Sequence, residues 1–207
     1  MLGIGEAFPK FEANACVRQR GDAPFQPVTQ VSFPGQWVVY FFWPRDFTPV
    51  CATEVSAFAA LAAEFRNRDA QIVGVSGDSE FVHMAWSQNA DQPDELPFPF
   101  VADVKRTLTA ALGVLDPIEF VPRRATYLVD PSGVIRHVSV NDYSVGRNPS
   151  EILRVLDALQ TDDLCPSNWE KGAATIARNQ AASGAVPHYK IPLKPVGQVN
   201  GSLERNH

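Results

Sequence analysis

Long hydrophobic runs are missing from this 207-residue chain. The longest, Trp37-Val38-Val39-Tyr40-Phe41-Phe42-Trp43, falls far short of the roughly 20 residues that span a bilayer. Met1-Leu2-Gly3-Ile4-Gly5-Glu6 has neither a basic start nor an apolar core, so no signal peptide is expected there. Basic clusters are missing too. With 18 Lys and Arg against 23 Asp and Glu, the formal net charge is −5. That balance argues against nucleic acid or an anionic membrane as partner.

Cysteine is scarce: Cys16, Cys51 and Cys165. An odd count without an export signal points to a reducing compartment, the cytoplasm, and to thiols with chemical rather than stapling roles. For a cysteine without further context, a small buried hydrophobe is the plainer reading. His83, His137, His188 and His207 share no metal-ligand spacing with one another or with a cysteine, and no Cys-x-x-Cys occurs. Gly3-Ile4-Gly5 lacks the preceding strand and third glycine of a dinucleotide loop. Ser76 lacks the spacing of a hydrolase elbow.

The composition that remains, 45% hydrophobic and 20% charged, is that of a globular protein. Its length suits one domain with an extension. Gln36–Phe42 follows the turn pair Pro34-Gly35, is rich in aromatic and β-branched residues, and predicts a buried strand. Val55, Phe58, Ala62 and Phe65 recur at helical spacing over Thr53–Arg66. A strand over Gln71–Val75 follows, then a helix capped by Asp78-Ser79 and a short strand over Phe98–Val101. Val104–Leu112 predicts a helix that Gly113 stops. Ala125–Val129 and Val134–Val140 flank Asp130-Pro131-Ser132-Gly133 and predict a hairpin, followed by a helix over Pro149–Gln160.

Right-handed crossovers make the first strands parallel, and the hairpin adds antiparallel strands. The expected fold is α/β: a central mixed sheet with helices on both faces, as in thioredoxin-like proteins. The first thirty-odd residues read as irregular, with room for a small hairpin. Residues 173–207 read as an extended tail.

Pro44-Arg45-Asp46-Phe47-Thr48-Pro49-Val50-Cys51 follows the first central strand and leads into a helix. The thiol then stands in a first helical turn, where unpaired N–H groups and the macrodipole favour a thiolate. Thr48 is close enough for its hydroxyl to fold back towards the sulfur or a bound oxygen species, and Pro44 shields one side. This is how a nucleophilic thiol would be built.

The run Phe42–Glu54 resembles the peroxidatic motif of peroxiredoxins, Pro-x-x-x-Thr-x-x-Cys, with Ala52 in place of the usual Pro after the cysteine. Gly74-Val75-Ser76-Gly77-Asp78-Ser79, Leu96-Pro97-Phe98-Pro99, Val129-Asp130-Pro131-Ser132-Gly133 and Ser144-Val145-Gly146-Arg147-Asn148 match in order. Leu164-Cys165-Pro166-Ser167-Asn168-Trp169-Glu170-Lys171-Gly172 is similar to the resolving-cysteine motif of the typical 2-Cys class. With Arg154–Gln160 before it, the resemblance is to the bacterial alkyl hydroperoxide reductase C type.

The resemblance implies a peroxidase domain over residues 1–163 and a C-terminal extension over 164–207. It implies that Cys51 attacks a peroxide to become a sulfenic acid, which Cys165 of the partner subunit resolves to a disulfide. The catalytic Arg maps to Arg124, six residues before Asp130, rather than to Arg123, which reads as a solvated charge. Glu54 and Arg147 match a pair that orients this Arg; the bland alternative is a surface ion pair. Cys16 matches no motif and reads as structural.

Further implications are a homodimer, in similar proteins a toroid of five or six dimers. An external dithiol reductant is also implied: thioredoxin, a flavoprotein partner or an alkyl hydroperoxidase D type carrier. No metal, flavin or haem is needed. An alternative on the same fold is a redox-sensing or chaperone-like interaction protein. The complete Cys165 motif favours the turnover enzyme.

Overall fold

Consecutive residues of β3 (Trp37–Phe42) feed two different cores, because strand side chains alternate between the faces of a sheet. Val39 and Phe41 enter one core; Val38, Tyr40 and Phe42 enter the other. The computed structural model describes residues 1–17, 23–88 and 97–176. On one side of β3 run β4 (Ala70–Ser76) and then β5 (Phe100–Ala102), both parallel. On the other lie β6 (Arg124–Val129) and β7 (Ile135–Asn141), antiparallel. The hairpin turn forms as expected: Asp130 Oδ1 accepts from Ser132 N at 2.9 Å and Val134 N at 3.0 Å, and Gly133 has φ +81°.

The N-terminal hairpin is present, as β1 (Glu12–Cys16) and β2 (Phe25–Thr29), but it is no separate ornament. β1 pairs with β5, Ala15 opposite Val101 and Cys16 opposite Phe100. The result is one seven-stranded sheet, ordered β2-β1-β5-β4-β3-β6-β7. Cys16 is completely buried there.

Helices α1 (Pro49–Ala60), α2 (Ala62–Arg66) and α5 (Pro149–Leu159) lay Val55, Phe58, Phe65, Ile152 and Leu156 on the face of Val39 and Phe41. The single helix expected over Thr53–Arg66 thus starts earlier, at Pro49. It is divided at Leu61, whose φ −101° and ψ 3° open one turn. α3 (Glu80–Ser87) starts at the expected cap, Ser79 Oγ accepting from Val82 N. On the opposite face α4 (Thr107–Leu112) inserts Leu108 and Leu112 beside Phe8. α4 starts later than expected because Arg106 takes a left-handed conformation, φ 60°, and Asp103 caps the helix from outside.

Beyond α5 the described part of the extension folds back on that helix. Leu164 and Ile176 pair in an isolated antiparallel bridge, and Trp169 is buried. Arg154 Nη1 donates to the Trp169 carbonyl at 3.0 Å, and Lys171 Nζ lies 3.0 Å from Asp157 Oδ1. Ordered backbone therefore continues past Gly172; the rest of the expected tail, from residue 177, lies outside the described residues.

Candidate active site

Pro49 occupies the first turn of α1, where its fixed φ suits the helix and its missing N–H costs nothing. The first intrahelical bond is Ala52 N to Thr48 O, 3.0 Å. Cys51 stands in that first turn, fully buried. Its partner comes from β6. Arg124 Nη1 donates to Cys51 Sγ at 3.3 Å and to Glu54 Oε2 at 2.7 Å, while Nε donates to the Tyr143 carbonyl at 2.9 Å.

Glu54 lies one helical turn beyond Cys51 and holds a second guanidinium. Its Oε1 accepts from Arg147 N at 3.0 Å and Nε at 2.7 Å; its Oε2 accepts from Arg147 Nη2 at 2.7 Å. Arg147 Nη1 donates to the carbonyls of Phe42, 2.7 Å, and Ala125, 2.8 Å. The alternative of a surface ion pair is excluded by burial: Glu54 is 2% exposed, Arg124 4% and Arg147 8%. Burial pulls the Arg147 guanidinium below its usual range, and Glu54 opposes that. Charges so placed need each other. Buried ions are tolerable only when paired and hydrogen-bonded.

Arg123, the other candidate, is half-exposed and 3.7 Å from Asp116. A pocket of about 300 Å³ opens beside Arg124, lined by Pro44, Thr48, Arg45, Glu119, Val121 and Tyr143. Of the two partners expected for the Thr48 hydroxyl, the sulfur or a bound oxygen species, the first is not taken; its Oγ1 donates to the Arg45 carbonyl at 3.0 Å, closing the tight turn ahead of α1. With its proton engaged there, the oxygen offers acceptor capacity to an incoming O–H.

The loop carrying Pro44 and Thr48 is fastened by residues that sequence reasoning passed over. Asp46 Oδ1 accepts from Trp43 Nε1 at 2.8 Å, and Asp46 Oδ2 lies 2.7 Å from His83 Nδ1. His83 is fully buried on α3, with Nε2 3.3 Å from the Val101 carbonyl. Burial raises the Asp46 carboxyl above its ordinary value, partly offset by His83. Residues 46 and 83 belong to different elements, so no local spacing links them. Tyr143, whose carbonyl receives Arg124, was equally hidden.

Cys165 is not at this site in its own chain. It is half-buried against the end of α5, with Sγ 3.5 Å from Thr161 Oγ1 and 3.7 Å from the Ala158 carbonyl. Neither Cys51 nor Cys165 is in a disulfide. Among the described residues no group of three His, Cys, Asp or Glu side chains could hold a metal ion, and no helix is long and apolar enough to cross a membrane.

The arrangement is suited to thiol chemistry: a sulfur at a helix N-terminus with a guanidinium donor on it. Comparisons agree. Residues 4–138 match the model of the AhpC/TSA family. The chain is 47% identical over 194 residues to alkyl hydroperoxide reductase C of Mycolicibacterium smegmatis, covering 90% of this chain and 99% of that one. Among solved structures, Mycobacterium tuberculosis AhpC superposes with a TM-score of 0.73 at 49% identity, covering 82% of this chain and 99% of that one. The reduced 2-Cys peroxiredoxin of Plasmodium vivax gives a TM-score of 0.77 at 32% identity, covering 83% and 91%.

Proposed function

The chain belongs to the AhpC/TSA family, and from that premise we propose that it is a thiol-dependent peroxidase of the 2-Cys peroxiredoxin type, with Cys51 as the peroxide-reducing thiol. The observation that carries the assignment is Arg124 Nη1, 3.3 Å from Cys51 Sγ and fixed by Glu54. The Cys51 thiolate attacks the terminal oxygen of the hydroperoxide. The O–O bond breaks and the other oxygen leaves as alkoxide, taking a proton to become alcohol, or water from hydrogen peroxide. Cys51 is left as a sulfenic acid. The Arg124 guanidinium, with donors in a fixed fork, holds the peroxide oxygens in line; Thr48 Oγ1 accepts from the peroxide O–H; Pro44 excludes water.

Cys165 of the partner subunit then attacks the sulfenic sulfur. A disulfide forms and the hydroxyl leaves as water. Two electrons from an external dithiol restore both thiols by exchange. The position of Cys165 beyond α5, packed against the end of that helix and apart from Cys51 of its own chain, supports resolution between two copies in a homodimer. Thioredoxin, a flavoprotein partner or an alkyl hydroperoxidase D type carrier are the candidate reductants, and the cytoplasm suits such chemistry. Residues 164–207 form the extension that brings the second thiol.

The test is peroxide consumption with dithiothreitol as reductant. Cys51→Ser abolishes it and Cys16→Ser changes it little; the reverse pattern overturns the assignment.

A further inference from the structure

The pocket beside Arg124 is flanked on its solvent side by a charge pair that the thiol chemistry does not require. Arg45 Nη2 and Glu119 Oε2 lie 3.0 Å apart, with side chains 54% and 57% exposed. A pair this exposed contributes little to stability, so its position matters more than its strength. Arg45 belongs to the turn ahead of α1 and Glu119 to the loop ahead of β6. Both line the exposed mouth of the pocket that holds Arg124, with Pro44, Val121 and Tyr143 beside them.

The loop that presents Glu119 is firmly built. Asp116 Oδ1 accepts from the backbone N–H of Ile118 at 2.9 Å and of Glu119 at 3.0 Å. Phe120, at φ 52°, donates its N–H to the Asp116 carbonyl at 3.0 Å and receives Arg106 Nε on its own carbonyl at 3.1 Å. Behind the pocket the charges already cancel. Arg124 and Arg147 face Glu54 and, once ionised, the Cys51 thiolate. Arg123 is paired with Asp116. Among the described residues that line the pocket, the exposed charges are Arg45 and Glu119, and they neutralise each other.

We propose that Glu119, by neutralising Arg45, makes this mouth select neutral, apolar-tailed alkyl hydroperoxides over hydroperoxides that carry a carboxylate. The inference rests on the peroxidase reading and deepens it. A neutral alkyl chain leaves water for the walls of Pro44, Val121 and Tyr143. A carboxylate finds the exposed Arg45 already engaged and a second carboxylate beside it. Removing Glu119 leaves Arg45 as an open cation at the entrance.

The experiment compares two substrates on one protein: a long-chain fatty-acid hydroperoxide and its methyl ester. Rates of Cys51 oxidation are followed by stopped-flow at low ionic strength, with both lipids below their aggregation concentration. The reading is the ratio of acid to ester rates, in which any general loss of activity cancels. Glu119→Gln raises the ratio about threefold or more, the scale of one unit charge acting through solvent over several ångströms. Arg45→Gln lowers it, and both changes fade at about 0.5 M salt, where screening is short-ranged. A ratio in Glu119→Gln equal to that of wild type at low salt, or a change that salt leaves intact, overturns the proposal. If wild type reduces neither substrate, the peroxidase reading itself fails; an active wild type with an unmoved ratio removes only the role of Glu119.

Discussion

Arg124 and Glu54 meet at 2.7 Å through Nη1, the same nitrogen that lies 3.3 Å from Cys51 Sγ. The carboxylate therefore sets where the guanidinium can stand relative to the sulfur, and Arg147 holds the carboxylate from behind with three further bonds. Glu54→Gln keeps the shape and removes the charge that two buried guanidiniums need. It should cost about 3 kcal/mol or more of folding stability, the usual penalty for stranding a buried ion. It should also slow Cys51 oxidation by at least about tenfold through lost alignment. Denaturant unfolding and stopped-flow oxidation check the two halves; a variant as stable and as fast as wild type contradicts the coupling.

Thr48 separates hydroxyl from shape. Thr48→Val loses the bond to the Arg45 carbonyl and the acceptor offered to the peroxide, whereas Thr48→Ser keeps both. The valine variant should oxidise at least about tenfold more slowly, and the serine variant should recover most of the rate. Equal rates in the two variants would remove Thr48 from the proposed mechanism.

Gly74, within β4, packs against Trp43 at the start of the loop carrying Thr48. A Cβ there would come within 2.5 Å of Trp43 Cζ3 and 3.2 Å of Phe41 Cε1, both parts of rigid buried rings. Gly74→Ala should destabilise by about 2 kcal/mol, as overpacked cores do, and disturb the Trp43 bond to Asp46. The midpoint of denaturant unfolding reads the first effect. An unchanged midpoint would show that Trp43 can move freely.

Asp157 gives the acid response. Burial raises its carboxyl, but hydrogen bonds from Arg68 and Lys171 outweigh that and the net direction is down. A carboxyl lowered by folding contributes stability above its unfolded value of about 3.9 and loses it as pH falls through the folded value. Asp157→Asn should therefore lie about 2 kcal/mol below wild type from pH 7 to about pH 5. The gap should close below about pH 4. Unfolding curves across that range check it; a gap that widens on acidification has the wrong sign.

What could be read from sequence was local chemistry. Ser79 as a cap, Asp130-Pro131-Ser132-Gly133 as a turn and Gly113 as a helix stop all carry their signal within a few residues, and each is where it was expected. Cys51, Pro44 and Thr48 were legible for the same reason, as one short motif. The pairing of β1 with β5 was not, since Glu12-Ala13-Asn14-Ala15-Cys16 has weak strand character and gains its place from distant partners. The break at Leu61 has no Gly or Pro to announce it. Asp46 with His83, Tyr143 with Arg124 and Arg45 with Glu119 are contacts made only by folding.

The central claim is that Cys51 of one subunit is resolved by Cys165 of its partner, and non-reducing denaturing electrophoresis after one equivalent of peroxide tests it most directly. Wild type should run as a covalent dimer. Cys51→Ser and Cys165→Ser should each run as monomers, and the two variants mixed after subunit exchange should regain a dimer band. A monomeric wild type with a bridge inside one chain, or a dimer that persists in Cys51→Ser alone, would contradict the account.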